Sequence, residues 1–528
     1  MPNFRHSTVA AAIFLPLLVG LSTLSATAQS GVEPPQAPVF HLTTLAARPR
    51  PRDARMEKIV ADPAFDASRI KAMDNQLIGF GNRVATSDFH PGAEGTPGAT
   101  AESTATRGVV PARQWIESQF QEISRASGGR LQVSTDTFAV PKGSRVPEDQ
   151  TMSNVVAILP GTDPNDHRVF VVSGHYDTLP ADFKLDGPGA NDDASGTIIS
   201  MESARALAKY KFPATIEFLT VEGEEQGLYG SRHAAAEAKA KGEDIAGMLN
   251  DDMDGGDQTP GYKNTNIVRI FSQGVPPRAT PEELRRIVAN SWENDSPSRE
   301  LARFASEVAR VYLPRFTALL EYRPDRFQRG GDQEPFVDAG YPAVRFSEYH
   351  ENSNHQHKAL SVAANGVEMG DRGKWISPAY IGNVARVNAL TLAALASSPL
   401  PPKTVYFRGG QAIGTPVEWT PVAGAAGYRI LLRPTASPQW TIRIPAPPVA
   451  AAATPGMGPL DPAQPMYEIT IPQSPDNYFI AVVSLDQAGH ESLPTLGSTR
   501  PFRFGRGRGG RGRGATGARG RGIGGPGR

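Results

Sequence analysis

The sequence predicts an α/β protein: a mostly parallel mixed sheet flanked by helices, followed by a small all-β sandwich. Three observations carry this. Residues 168–177 (R-V-F-V-V-S-G-H-Y-D) and 214–225 (A-T-I-E-F-L-T-V-E-G-E-E) are apolar, β-branched runs of the kind found in strands covered on both faces. Helical patterns at about 196–210 and 229–241 follow those runs, so strand and helix alternate as in a parallel α/β plan. From Pro399 the composition shifts to short segments near Trp419 and at 428–433, 467–471 and 478–486, whose spacing fits a β-sandwich.

The elements follow in order. Residues 1–28 carry Arg5, an apolar run A-A-A-I-F-L-P-L-L-V-G-L and then A-T-A, the build of a secretory signal peptide cleaved after Ala28. The run is too short for a membrane span. A Pro-rich leader fills 29–52, and a first domain is expected over 53–400. Within it, 70–84 begins the folded part, and 110–126 places Trp115, Ile116, Phe120 and Ile123 at helical spacing. Strands are expected at 130–138, 153–159, 169–174, 266–273 and 339–348. Helices are expected over 280–312, interrupted by N-D-S-P-S, and over 380–397. At 528 residues the chain is too long for a single core.

The candidate chemistry lies where the first two runs end. Open α/β sheets form their sites outside the carboxyl ends of the strands. Here those ends deliver His175 and Asp177, then Glu224 and Glu225, with G-P-G-A-N-D-D-A-S-G between them. The chain has no Cys, which excludes disulfides, a thiolate nucleophile and thiolate metal sites, so a metal must be held by His and carboxylates. One His among several acids suits Zn²⁺, and two ions about 3.5–4 Å apart need a bridging carboxylate. Asp192, on the turn between strand and helix, is placed to bridge. If Glu224 and Glu225 lie in extended backbone they point opposite ways, so one can ligate while the other stays free as a base. By the same alternation His175 and Asp177 share a face, and Asp177 can orient the imidazole through its second N–H.

The stretches H-Y-D, G-A-N-D-D-A-S-G and G-E-E-Q-G-L-Y-G-S resemble the signatures of co-catalytic di-zinc metallopeptidases of the bacterial leucyl aminopeptidase and aminopeptidase Y type. The resemblance covers about residues 70–400 and implies a zinc exopeptidase fold. It also implies two Zn²⁺ per chain, His175, Asp192 and Glu225 as ligands and Glu224 as general base. In A-G-M-L-N-D-D-M-D-G-G the family's metal Asp corresponds to Asp252, although Asp251 and Asp254 crowd it. The late His is sought in Y-H-E-N-S-N-H-Q-H. His350 follows a Tyr but lies too near the preceding strand, His355 fits the family's gap, and His357 is the second choice. In R-G-G-D-Q-E-P-F, Gln333 and Gly331 depart from the family's usual His and Ser. The implied activity is aminopeptidase action on peptides or proteins, with carboxypeptidase and glutaminyl cyclase as alternatives on the same fold.

Residues 401–502, with A-A-G-Y-R-I and A-V-V-S-L-D-Q-A-G-H-E-S, resemble a fibronectin type III-like domain. It carries no evident chemistry, so a chain cut near Leu400 is expected to keep its turnover. Residues 503–528 are an Arg-Gly tail without acids and are expected to be disordered. Such tails can bind RNA, but behind an export signal the expected contacts are anionic envelope or extracellular polymers, with no specific nucleic acid. A rival of another class is a non-catalytic adhesin using the β-domain and tail. Lys plus Arg and Asp plus Glu balance at 54 each, which argues against a partner chosen by overall charge.

Overall fold

The computed structural model describes residues 53–86, 107–180, 186–263, 265–408, 414–448 and 466–499. The segments expected to be a signal peptide, a leader and an Arg-Gly tail lie outside the described residues. Among those residues, no helix is long and apolar enough to cross a membrane.

The first domain is built on an eight-stranded mixed sheet. Its strands are β1 (Gln132–Val140), β2 (Gln150–Leu159), β3 (Arg168–His175), β4 (Thr215–Val221), β5 (Asp244–Asp251), β6 (Ile267–Ser272), β7 (Thr317–Glu321) and β8 (Ala343–Glu348), hydrogen-bonded in the order β1-β2-β4-β3-β5-β8-β6-β7. The central pairings β4/β3, β3/β5 and β5/β8 are parallel, as is β6/β7, whereas β1/β2, β2/β4 and β6/β8 are antiparallel. Alternation along β3 explains its uniform apolarity. Phe170 and Val172 enter the larger core cluster, and Val171 enters the smaller one on the opposite face.

Ten helices are described: α1 (Ala54–Val60), α2 (Ala67–Gly79), α3 (Val109–Ala126), α4 (Ala194–Leu207), α5 (Glu224–Gly227), α6 (Tyr229–Lys241), α7 (Pro281–Asn290), α8 (Pro297–Tyr312), α9 (Gln333–Ala339) and α10 (Pro378–Ser397). The larger core holds apolar residues of α2, α3, α4, α8 and α10, and the smaller holds residues of α6 and α9. Both long late helices start on a Ser N-cap followed by Pro: Ser296–Pro297 for α8 and Ser377–Pro378 for α10. In α10, Ile381, Val384, Leu390, Leu392 and Leu395 are buried, each stabilising the packing by roughly 1.5–3 kcal/mol.

A central strand is added to those expected, and one expectation needs correction. Residues 244–251 form that strand, β5, whose Gly, Asn and Asp residues disguise the apolar pattern. Glu224 and Glu225 are not in extended backbone. They open the single turn α5, entered through Gly223 at φ 84°, a left-handed conformation that suits glycine.

The β-domain has β11 (Val405–Phe407), β12 (Thr415–Trp419), β13 (Gly427–Pro434), β14 (Ile442–Ala446), β15 (Tyr467–Ile471), β16 (Tyr478–Leu485) and β17 (Thr495–Thr499); a two-residue pair, β9 (Ser361–Val362) and β10 (Glu368–Met369), precedes it. The order is β14-β13-β16-β17-β11-β12-β15, with β11 and β17 parallel. Its core joins Val417, Trp419 and Ile471 from one half to Tyr428, Ile430 and Val482 from the other, so the halves pack as a sandwich.

This domain is docked through buried charge rather than tethered. Arg433 Nη2 lies 2.5 Å from Asp295 Oδ1, Trp440 Nε1 donates to Glu300 Oε2 at 2.8 Å, and Arg443 Nη2 donates to both Glu307 oxygens at 2.6 Å. On another side, His490 pairs with Asp53 at 2.7 Å and with Asp486 at 2.6 Å. The expectation that a cut near Leu400 is harmless therefore meets a surface of α8 that holds its acids against residues beyond the cut.

Candidate metal centre

The site forms at the carboxyl ends of β3, β4, β5 and β8. Its geometry starts with close packing: a Cβ on Gly174 would lie 2.2 Å from the Gly196 backbone, and one on Gly196 would lie 2.1 Å from Asp251 O. Glycines at both positions let β3, the start of α4 and the end of β5 converge. Asp193 caps α4 by accepting from Gly196 N at 2.8 Å, and its other oxygen accepts from His175 N at 3.0 Å. Asp371 accepts from the amides of Asn191 and Asp192, at 2.8 and 2.7 Å, which holds the turn that presents Asp192. Asn191 in turn donates to Glu348 at 2.7 Å.

Three groups of side chains bring ligand-type atoms within 4.8 Å of one another: His175, Asp192 and Asp252; Asp192, Glu225 and His357; and His175, Glu224 and Glu225. Asp192 belongs to the first two. His175 Nδ1 faces the backbone oxygen of Asp177 at 3.1 Å and its Oδ1 at 3.5 Å, leaving Nε2 directed at Asp192 Oδ1, 3.3 Å away. That Nε2 is buried and has no hydrogen-bond partner. The Asp177 carboxylate also accepts from the amides of Glu224 and Glu225, both at 3.3 Å, so one residue orients the imidazole, through its backbone carbonyl, and anchors the turn bearing both glutamates. Glu225 and Asp252 are buried, and Glu224 is half-buried.

His355 is not in this cluster. It is buried, its Nδ1 is 2.5 Å from Asp257 Oδ2, and its ring stacks on Trp375 at 4.5 Å. His357 Nε2 instead reaches Glu225 Oε1 at 2.8 Å and Asp192 Oδ2 at 3.1 Å. His357 itself has φ 52°, a left-handed conformation, so His355 and His357 do not share a face as they would in an extended segment. His350 is exposed and packs edge-on against Tyr349. Of the three aspartates near β5, Asp252 faces the cluster. Asp251 accepts from Asn388 Nδ2 at 2.8 Å on α10, and both oxygens of Asp254 are buried without hydrogen-bond partners.

The electrostatics call for cations. Burial, together with the charge of Asp192, raises Glu225 to about 7; burial raises Glu224 well above its ordinary value, as the neighbouring Glu225 and Asp252 carboxylates also do. Burial raises Asp332 to about 7 and Glu348 to about 8. Burial would lower His357, but its hydrogen bonds to Asp192 and Glu225 bring it up to about 11. Carboxylates this dense, around an orphaned imidazole nitrogen, are the donor set of a hard-to-borderline dication, and His with Asp and Glu fits zinc.

The chain matches Peptidase family M28 over residues 154–366. It is 34% identical over 504 residues to a "Probable zinc metalloprotease" of Pyricularia oryzae, covering 93% of each chain. The chain belongs to Peptidase family M28. As an M28 member it is a zinc metallopeptidase, and a second "Probable zinc metalloprotease", from Pyrenophora teres f. teres, is 37% identical over 405 residues, 74% of this chain and 80% of that protein. Among solved structures, the LapA aminopeptidase of Legionella pneumophila is similar at a TM-score of 0.45 and 19% identity, covering 65% of this chain and 74% of that one.

Residues beyond those anticipated support the M28 site. Arg345 on β8 pairs with Asp252 at 2.7 Å, and Gln356 donates to Asp192 Oδ2 at 3.2 Å. Asp332 accepts from Ser231 at 2.5 Å while its second oxygen stays without a hydrogen-bond partner. Only Asp332 had a signal, through its place in R-G-G-D-Q-E-P-F. Gln333 there is buried and donates weakly to Pro324 O at 3.4 Å.

Proposed function

We propose that this M28 peptidase is an exported aminopeptidase that uses two zinc ions, with Glu224 as general base. The observation that carries the two-ion reading is Asp192, the one carboxylate common to the His175/Asp252 and the Glu225/His357 groups. On this reading His357, rather than His355, completes the second position. When bound, zinc supplies Lewis-acid polarisation of the scissile carbonyl and the charge that makes water a nucleophile near neutral pH.

The chain's own residues do the rest. Glu224 is half-buried beside ligands that are buried, so its carboxylate can meet a water and a substrate in the cleft. It takes the proton of the attacking water and passes it to the departing amine. Asp177 sets the position of Glu224 through the amide it accepts from, and the tautomer of His175 through Nδ1. The preference for a free amino terminus rests on the motifs H-Y-D, G-A-N-D-D-A-S-G and G-E-E-Q-G, and export rests on residues 1–28.

One peptide in four forms tests this: free, N-acetylated, C-amidated, and with an N-terminal Gln. Stepwise release of residues from the free and amidated forms, with none from the acetylated form, is expected. Release from the carboxyl end, or cyclisation of the Gln peptide without cleavage, would replace the aminopeptidase reading.

A further inference from the structure

The two donor groups that share Asp192 are not electrostatically equivalent. In the Asp192/Glu225/His357 group, both carboxylates form ion pairs only with histidines among the described residues. In the His175/Asp192/Asp252 group, Asp252 already has a permanent cation beside it. Arg345 Nη2 lies 2.7 Å from Asp252 Oδ1, with side-chain exposures of 1% and 5%. Arg345 Nη1 donates to the Gly330 carbonyl, whereas Nε and Nη2 make no hydrogen bond, so the guanidinium is held by one carbonyl and by the charge of Asp252. Gly331 closes over the pair: a Cβ there would come 2.6 Å from Arg345 Nη1 and 3.1 Å from Asp252 Oδ2. The strand fixes the other end, since Arg345 stands opposite Asn250 in the β5/β8 register.

A guanidinium on one oxygen of a ligand carboxylate withdraws charge from the other oxygen and repels an incoming dication. It also cannot give up its proton, so no accessible pH relieves the repulsion. We infer that Arg345 makes the two zinc positions unequal: the Asp192/Glu225/His357 position fills first, and the His175/Asp192/Asp252 position fills second and more weakly. This inference rests on the two-zinc reading above. Partners of metal ligands shift affinity by about 10–100-fold, and a buried cation acts in the weakening direction by a similar factor. Turnover of the two-zinc enzyme then tracks the weaker position, and the enzyme switches on over a zinc range set by Arg345. Arg345 is a positioning residue in this account and touches no reacting atom.

The test is a zinc titration of the chelator-stripped full chain, followed by calorimetry and by competition with a chromophoric chelator. The wild type should bind two zinc ions in steps separated at least tenfold. Arg345→Met should tighten the weaker step by about 10–100-fold and leave the tighter step in place. Arg345→Lys should keep the separation, and His357→Ala should remove the tighter step. Two equal steps in the wild type would overturn the inference even if Arg345→Met failed to fold. So would an Arg345→Met chain whose weaker step is unchanged or weakened further. Binding of fewer than two zinc ions by the wild type would instead overturn the two-zinc reading itself.

Discussion

Replacing Arg433 by Met keeps an unbranched apolar stem and removes a charge from the seam between the two domains. Arg433 and Asp295 have side-chain exposures of 4% and 1%, so water cannot take the guanidinium's place. Asp295 would keep Arg303 at 2.8 Å, but its Oδ2 already has no hydrogen-bond partner. Breaking a buried pair costs about 3–5 kcal/mol, and the surviving Arg303 contact puts this case near 3 kcal/mol. With roughly 2.1 cal/mol/K of unfolding entropy per residue over the roughly 400 described residues, that becomes a fall in Tm of about 4 °C. Differential scanning calorimetry of the zinc-loaded chain should show this fall within a single transition, with zinc content unchanged. Two separated transitions, with the peptidase transition unmoved by the variant, would refute the reasoning that the β-domain and α8 stabilise each other. In that case a chain ending near Leu400 should fold and turn over normally.

Two further outcomes follow from the geometry. His357→Ala should lose one zinc, measured by elemental analysis after dialysis, whereas His355→Ala should retain both, because His355 spends its ring on Asp257 and Trp375; the opposite pattern would restore His355 as ligand. Asp74 is buried with Oδ1 unpartnered, and burial raises it to about 6. A carboxyl raised on folding contributes stability that is full below its unfolded value near 3.8 and is lost as pH rises through 6. Asp74→Asn should therefore match the wild type near pH 3.5 and exceed it by about 3 kcal/mol at pH 7.5 in denaturant titrations.

The residues that could be read from the sequence are those whose position is local. His175, Glu224 and Glu225 sit at or just beyond strand ends and Asp192 just ahead of α4, and a short motif fixes each to its neighbours. Asp252 reads from its motif for the same reason, although two nearby aspartates blur it; in the structure Asp252 joins the cluster while Asp251 faces α10. The choice between His355 and His357 was not legible, because it turns on one left-handed residue in a loop. Arg345 reads as one polar interruption in an apolar strand, and its partner Asp252 lies 93 positions earlier on β5's end. The same holds for the seam, where Arg433, Trp440 and Arg443 look like the half-exposed residues of any β-domain and their acidic partners lie more than 130 positions away.

The most direct measurement is single-turnover hydrolysis by Glu224→Gln and Glu225→Gln at known zinc content. Glutamine keeps the size of Glu224 but cannot accept the water's proton, so Glu224→Gln should hold its zinc and slow by about 10²–10⁴-fold. Glu225→Gln should lose zinc first, since a neutral amide is a poorer ligand than a carboxylate. Near-normal turnover of zinc-loaded Glu224→Gln would contradict the account, and zinc loss from Glu224→Gln with retention in Glu225→Gln would exchange the roles of the two neighbours.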